Sequence, residues 1–179
     1  AYDSLGNLKN VMAGAQNLVT NTYEPRTSRL LAVTYGNSQS IGYNYDRLDR
    51  VTDKKIDGTT RFNYKYDDSG NLGVLNDLIN AVGYRYRYDE ADRLWRINDT
   101  LGNVTNFGYD IENNVNRVSE SLFDSNWNYY SFLTEYFYDK DNRQKEIKFN
   151  AGNSKITYNY IEPNTTTTLG RLTGSTTNI

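Results

Sequence analysis

The sequence predicts an all-β chain of tandem antiparallel β-hairpin repeats, about 21–22 residues each, forming a curved or spiralling β-sheet. Three observations predict it. A Tyr-Asp pair recurs at near-constant spacing. The residues before each pair alternate with period two. Tyrosine is far over-represented, with 17 Tyr against 6 Phe and 2 Trp. Tyrosine favours strands, and its ring can cover a half-buried sheet while its hydroxyl stays in water.

The anchors are Tyr2, Tyr23, Tyr45, Tyr66, Tyr88, Tyr109, Tyr138 and Tyr160, at spacings of 21, 22, 21, 22, 21, 29 and 22. They organise residues 1–179 as one array of about eight units. The long sixth interval marks an insertion within 119–133, and the last unit, 160–179, is degenerate. Asp follows the anchor at Asp3, Asp46, Asp67, Asp89, Asp110 and Asp139, with Glu24 and Ile161 as the exceptions.

Within a unit the first element is the strand that leads into the anchor. Ile41, Tyr43 and Tyr45 share one parity against Gly42 and Asn44; Phe62, Tyr64 and Tyr66 oppose Asn63 and Lys65; Tyr84, Tyr86 and Tyr88 oppose Arg85 and Arg87. Successive strand side chains point to opposite faces, so each strand has an aromatic and a polar face. The second element is a turn beginning at the Asp, where the strand ends. Its carboxylate can accept hydrogen bonds from backbone N–H groups just ahead. Gly6, Asp49, Gly70, Asp92, Asn113 or Asn142 stands four residues after the anchor, and each type tolerates a positive φ. Asn or Arg follows, and then Leu8, Val51, Leu72, Leu94 or Val115 opens the returning strand, with Gln144 in that slot once. The second unit carries one extra residue between Tyr23 and Leu30, and the last is stretched by Pro163 and the Thr165–Thr168 run. A second turn closes each unit, at Asp57-Gly58, Asp77–Asn80, Asp99–Gly102 and Asn150–Asn153.

A lone hairpin of this size is marginal in water. Stacking gives each tyrosine neighbours from the strands before and after, so stability becomes a nearest-neighbour sum. Open sheet edges then invite self-association with another copy.

Composition excludes several chemistries. The chain has no Cys and no His, which removes thiolate nucleophiles, imidazole acid–base catalysis, disulfides and the usual zinc ligands. No catalytic, cofactor-binding or metal-binding residue is nominated, and the chain is expected not to be an enzyme. Asp67-Asp68-Ser69-Gly70 and Asp139-Lys140-Asp141-Asn142 superficially resemble oxygen-rich calcium loops. They lack the twelve-residue spacing with its closing Glu, so each Asp is read as closing its own turn. Net charge is −2 with the signs interspersed, so no basic patch invites nucleic acid. No apolar run approaches the length that spans a membrane as a helix. Phe123, Trp127, Tyr129, Tyr130, Phe132 and Leu133 fall in the insertion, which reads as a longer hairpin or a small plug rather than a contact surface for cargo. Asn98, Asn103 and Asn164 sit in glycosylation triplets, which matter only on a glycosylating secretory route. The chain opens inside a motif at Ala1-Tyr2 without an initiator Met, and is expected to be a fragment of a longer protein.

The pattern Tyr-x-Tyr-Asp-x-x-Gly-Asn/Arg-Leu resembles the YD (Rhs) repeat family. It is carried best by Tyr64-Lys65-Tyr66-Asp67-Asp68-Ser69-Gly70-Asn71-Leu72 and by Tyr86-Arg87-Tyr88-Asp89-Glu90-Ala91-Asp92-Arg93-Leu94. The family includes bacterial Rhs polymorphic toxins, wall-associated proteins, the encapsulating components of insecticidal Tc toxins, and animal teneurins. The resemblance implies a β-sheet spiralling into a hollow shell that, in the toxins, encloses a C-terminal toxic domain. It further implies a bacterial, secreted or cell-surface parent, with partners among that parent's other repeats and domains, including the enclosed toxin domain. The structural signature it marks is Tyr2, Asp3, Gly6, Tyr45, Asp46, Tyr66, Asp67, Gly70, Leu72, Tyr88, Asp89, Leu94, Tyr109, Asp110, Tyr138 and Asp139. The aspartate-dependent self-cleaving core of many family toxins is not recognisable in the sequence. The alternative is a carbohydrate- or cell-wall-binding aromatic repeat module. Such modules are rich in Trp, whereas here only Trp95 and Trp127 occur and the recurring feature is Tyr-Asp.

Overall fold

The computed structural model describes residues 1–150, 154–160 and 172–178, and these are all β. The chain divides into two compact units, Ala1–Arg85 and Tyr86–Ile179. The first contains β1 (Asn10–Ala13), β2 (Gln16–Tyr23), β3 (Leu30–Tyr35), β4 (Ser40–Tyr45), β5 (Val51–Ile56), β6 (Thr59–Tyr66), β7 (Leu72–Asp77) and the start of β8 (Val82–Tyr88). The second contains the end of β8, then β9 (Leu94–Asp99), β10 (Val104–Tyr109), β11 (Val115–Phe123), β12 (Tyr129–Tyr138), β13 (Gln144–Phe149), β14 (Ser154–Tyr160) and β15 (Leu172–Asn178). Within each unit spatial order follows chain order in an antiparallel meander.

The anchors set the strand ends. Tyr23, Tyr45, Tyr66, Tyr88, Tyr109, Tyr138 and Tyr160 are each the last residue of a strand, and Leu30, Val51, Leu72, Leu94, Val115 and Gln144 each begin the next. Strands therefore stop one residue before the expected Asp, because the Asp carboxylate there takes over the backbone hydrogen bonding. Tyr2 makes an isolated antiparallel bridge with Leu8.

The hairpins at Tyr23, Tyr45, Tyr66, Tyr109, Tyr138 and Tyr160 each carry a β-bulge beside the anchor. Asn44 pairs with Asp53 but Tyr45 with Val51; Lys65 pairs with Val74 but Tyr66 with Leu72; Gly108 pairs with Arg117 but Tyr109 with Val115. The extra residue on the returning strand (Thr52, Gly73, Asn116) increases local right-handed twist. At the opposite end, Asp57 and Gly58 have φ values of 47° and 78°. Two central residues with positive φ give the turn whose twist matches a hairpin's strands. Between β7 and β8, Asp77 accepts from the N–H groups of Ile79 and Asn80, both at 3.1 Å. The expected turn at Asn150–Asn153 lies mostly outside the described residues, as do Pro163, Asn164 and the Thr165–Thr168 run.

Toward the anchors of β4, β6 and β8 exposure alternates, with Asn44, Lys65, Arg85 and Arg87 exposed between half-buried aromatic neighbours, whereas Gly42 and Asn63 farther back on the polar face are half-buried. Yet among the described residues no side chain is fully buried, apolar or polar. Within each unit the sheet lacks the second layer that ordinarily completes a core. The insertion is a lengthened hairpin, β11–β12, whose pairing runs out to Phe123↔Tyr129.

Candidate functional site

Among the described residues no His, Cys, Asp and Glu cluster could hold a metal ion. The feature built with most repetition is the Tyr-Asp turn, and it is the candidate site.

Asp46 shows its geometry. One carboxylate oxygen, Oδ1, accepts from the N–H groups of Leu48 at 2.9 Å and Arg50 at 3.0 Å; Oδ2 accepts from Arg50 Nε at 2.7 Å. The backbone closes the turn, with Asp46 N–H donating to the Arg50 carbonyl and Asp49 N–H to the Asp46 carbonyl. Asp89 with Arg93 and Asp139 with Arg143 repeat every contact. Asp3 and Asp110 make the same turn with Asn7 and Asn114 in the Arg place, and Asp67 accepts from the Asn71 N–H at 2.8 Å. Gly6, Asp49, Gly70, Asp92, Asn113 and Asn142 all have positive φ, between 57° and 94°. The looser second unit does the same with Glu24, Arg29 and a positive φ at Ser28.

Successive turns touch. The residue after the positive-φ position reaches the positive-φ residue of the next unit: Asn7 Nδ2 to Ser28 Oγ at 3.0 Å, Arg29 Nη1 to Asp49 Oδ1 at 2.5 Å, and Arg93 Nη1 to Asn113 Oδ1 at 2.7 Å. Arg50 instead lies near Gly70, which offers no side chain to bond.

The tyrosines form a second ladder. Tyr45 donates its hydroxyl to the Leu30 carbonyl at 2.6 Å, Tyr66 to Val51 at 2.9 Å, Tyr109 to Leu94 at 2.7 Å, Tyr138 to Val115 at 2.9 Å and Tyr160 to Gln144 at 2.7 Å. Each acceptor is the first residue of the preceding returning strand. The reason lies in the pairing. The β3–β4 ladder ends at Ala32↔Gly42 and the β5–β6 ladder at Asp53↔Asn63, short of Leu30 and Val51. Those carbonyls have no strand partner on that side, and a backbone carbonyl left without one is costly. The tyrosine fills the opening and supplies the donor. The hydroxyls therefore do not simply stay in water, as expected from composition; they are satisfied within the sheet. Arg50, Arg93 and Arg143 add a guanidinium 4.5, 4.5 and 4.7 Å from the ring centroids of Tyr66, Tyr109 and Tyr160. Burial raises the hydroxyl pKa of Tyr45 and Tyr138 above the ordinary 10.0, which keeps them donors.

Two turns of this kind escape a search keyed on Tyr-Asp. Asp99 accepts from Leu101, Asn103 and the Asn103 side chain, with Gly102 at φ 93°. Asp124 accepts from Asn126, Asn128 and the Asn128 side chain, with Trp127 at φ 62°. The signal that finds them is Asp followed four residues later by Asn, with or without the preceding tyrosine. Asn103, in a glycosylation triplet, is engaged on both sides: its side-chain oxygen also accepts from Phe123 N–H at 2.8 Å.

Hydrogen bonds hold the carboxyls of Asp3, Asp46, Asp89, Asp124 and Asp139 below the ordinary 3.8. The Arg50 N–H does most for Asp46, the Arg93 and Arg143 side chains for Asp89 and Asp139, and the Asn7 and Asn128 side chains for Asp3 and Asp124. A depressed folded-state value stabilises the fold at pH above the unfolded value, and that contribution is lost as pH falls through the depressed one. With no His to titrate, the melting temperature should stay flat from about pH 7 to 5 and fall below about pH 4. A steady decline between pH 7 and 5 would contradict this assignment. Gly70 tests the turn backbone. A Cβ there meets nothing closer than Arg50 Nη1 at 3.8 Å, so Gly70→Ala isolates the φ of +94° and should cost about 1–2 kcal/mol in urea unfolding.

In fold, the chain is similar to solved structures of Tc toxin components. Over 89% of its length it matches 12% of a chain in the crystal structure of TcdB2-TccC3-Cdc42, with TM-score 0.59 and 14% identity. The crystal structure of TcdB2-TccC3 without its hypervariable C-terminal region gives TM-score 0.54 and 16% identity over 78% of this chain and 10% of that one. A mutant Tc holotoxin pore from Photorhabdus luminescens gives 0.53 and 16% over 78% and 9%. The chain thus spans about a tenth of the length of the chains it matches. No family model matches it, and no curated protein does.

Proposed function

We propose that this chain is a wall segment of a YD/Rhs-type shell in a secreted or cell-surface bacterial protein, encapsulating or scaffolding a C-terminal toxin domain. The single observation that carries the reading is the tyrosine ladder. The anchor hydroxyls of Tyr23, Tyr45, Tyr66, Tyr109, Tyr138 and Tyr160 each donate to the repeat before, so a unit makes structural sense only as one course in a longer wall. The absence of fully buried side chains among the described residues fits a one-layer wall rather than a globular enzyme. The likeness in fold to Tc toxin components supports the same reading, and no residue is assigned a catalytic role.

The tyrosine chemistry also favours a wall over an aromatic carbohydrate module. The anchor rings are half-buried, their hydroxyls donate to backbone, and several are covered by arginine. The test is limited proteolysis of the parent protein expressed with its flanking sequence. A downstream domain resistant to protease while the shell is intact, and cleaved once the shell is opened, is the expected result. A downstream domain cleaved as readily with the shell as without it would overturn the container role, and saturable binding on a glycan array would favour the carbohydrate module.

A further inference from the structure

The repeats place a cation over an aromatic ring again and again. Arg29, Arg50, Arg93 and Arg143 lie 5.3, 4.5, 4.5 and 4.7 Å from the ring centroids of Tyr45, Tyr66, Tyr109 and Tyr160. Each of these arginines is also paired with the carboxylate of its own turn. The turn of the long β11–β12 hairpin also sets a carboxylate among aromatic rings, here those of its own hairpin rather than of the next unit, and no cation accompanies it. Asp124 stands in the Asp place and Asn128 in the Arg place. Phe123 lies 6.1 Å from Trp127 and 5.5 Å from Tyr129, both pairs tilted by 57°. Among the described residues no cationic side chain pairs with Asp124 or covers these rings. Leu101, Phe123, Asp124, Ser125 and Trp127 line an open cavity of about 330 Å³.

Trp127 marks the place further. Its φ is 62°, and the other non-Gly residues with positive φ among those described are Ser, Asp, Asn or Ala. A bulky side chain in this conformation is strained, and strain of this kind clusters at binding sites. The ring is nonetheless 74% exposed, so packing within the unit does not explain it.

We propose that this hairpin tip binds an arginine side chain of a partner protein segment, with the guanidinium lying over Trp127 beside the Asp124 carboxylate. The carboxylate decides the occupant's charge. Its hydrogen bonds within the turn come from neutral donors, so an aliphatic side chain laid over it would strip its remaining water and leave the charge unbalanced, whereas a guanidinium balances it. Hydrogen bonding keeps Asp124 ionised. The flat, weakly hydrated guanidinium stacks on aromatic faces, which favours arginine over lysine. A sugar fits less well, because it is neutral and leaves the Asp124 charge unbalanced. This inference stands independently of the container reading.

Trp95→Phe leaves Trp127 as the sole tryptophan reporter. Titrating that variant with a blocked Gly-Arg-Gly peptide should give a saturable fluorescence change. The peptide should bind about five- to thirtyfold more tightly than its neutral citrulline counterpart. Calorimetry on the unaltered chain gives the same comparison should Trp95→Phe be poorly folded. Trp127→Gly should abolish binding in calorimetry without lowering the melting temperature, since glycine accepts the positive φ. No saturable response, equal binding of the citrulline peptide, or a Trp127→Gly chain that loses stability would each overturn the proposal.

Discussion

Tyr66→Ala should destabilise the first unit by about 2–4 kcal/mol, the range of large aromatic truncations reduced for a half-buried site. Three contributions disappear together. The ring no longer fills the opening between β5 and β6. Arg50 loses the face it lies over at 4.5 Å, and the Val51 carbonyl loses the hydroxyl that donates to it at 2.9 Å. Tyr66→Phe separates them, because phenylalanine keeps the ring and the stacked guanidinium and loses only the donor. Its cost should be about 0.5–1.5 kcal/mol. Urea unfolding followed by circular dichroism measures both, and the slope with denaturant should not change. A Phe variant as unstable as the Ala variant would mean that the hydroxyl, not the ring, dominates. An Ala variant within about 0.5 kcal/mol of the parent chain, the range of ordinary surface substitutions, would mean that the ladder contributes nothing.

That division between ring and hydroxyl is also the division between what was legible in the sequence and what was not. Period-two alternation before Tyr45, Tyr66 and Tyr109 marks strands and their half-buried face, because side-chain direction in a strand depends only on parity. The spacing of Asp46 from Asp49 and Arg50 marks the turn, because carboxylate capping and positive φ are local demands. The acceptor of each tyrosine hydroxyl is not local. Val51 is 15 residues from Tyr66, and its carbonyl needs a donor only because a bulge and a shortened ladder leave it without one. Neither feature has a sequence signature of its own here. The insertion shows the same limit. Its turn at Asp124 is the common turn of this chain, hidden because Phe123 stands where a tyrosine elsewhere precedes the Asp. Seen through the Tyr-Asp spacing alone, 119–133 is an interruption; seen through the Asp-to-Asn spacing, it is one more hairpin, drawn out.

Gly36→Ala should destabilise the first unit by about 1–3 kcal/mol, the cost of forcing atoms into a filled position. Two demands meet in the Gly36-Asn37-Ser38 turn, a left-handed backbone and room for a close approach. The structure assigns the two roles to different residues. The positive φ, 69°, falls on Ser38. Gly36 is needed for space: a Cβ there would stand 2.7 Å from the backbone carbonyl oxygen of Asn17, while the Gly36 N–H donates to Leu18 at 2.8 Å. Backbone cannot swing aside as a side chain could, so relieving the overlap means parting β2 from the end of β3 and weakening that hydrogen bond. Ser38→Gly is the matched control. It removes a Cβ from a left-handed residue and should change stability by no more than about 0.5–1 kcal/mol in either direction. If the two variants exchanged ranks in thermal unfolding, with Ser38→Gly the damaging one, the close approach of β2 would not be what fixes glycine at position 36.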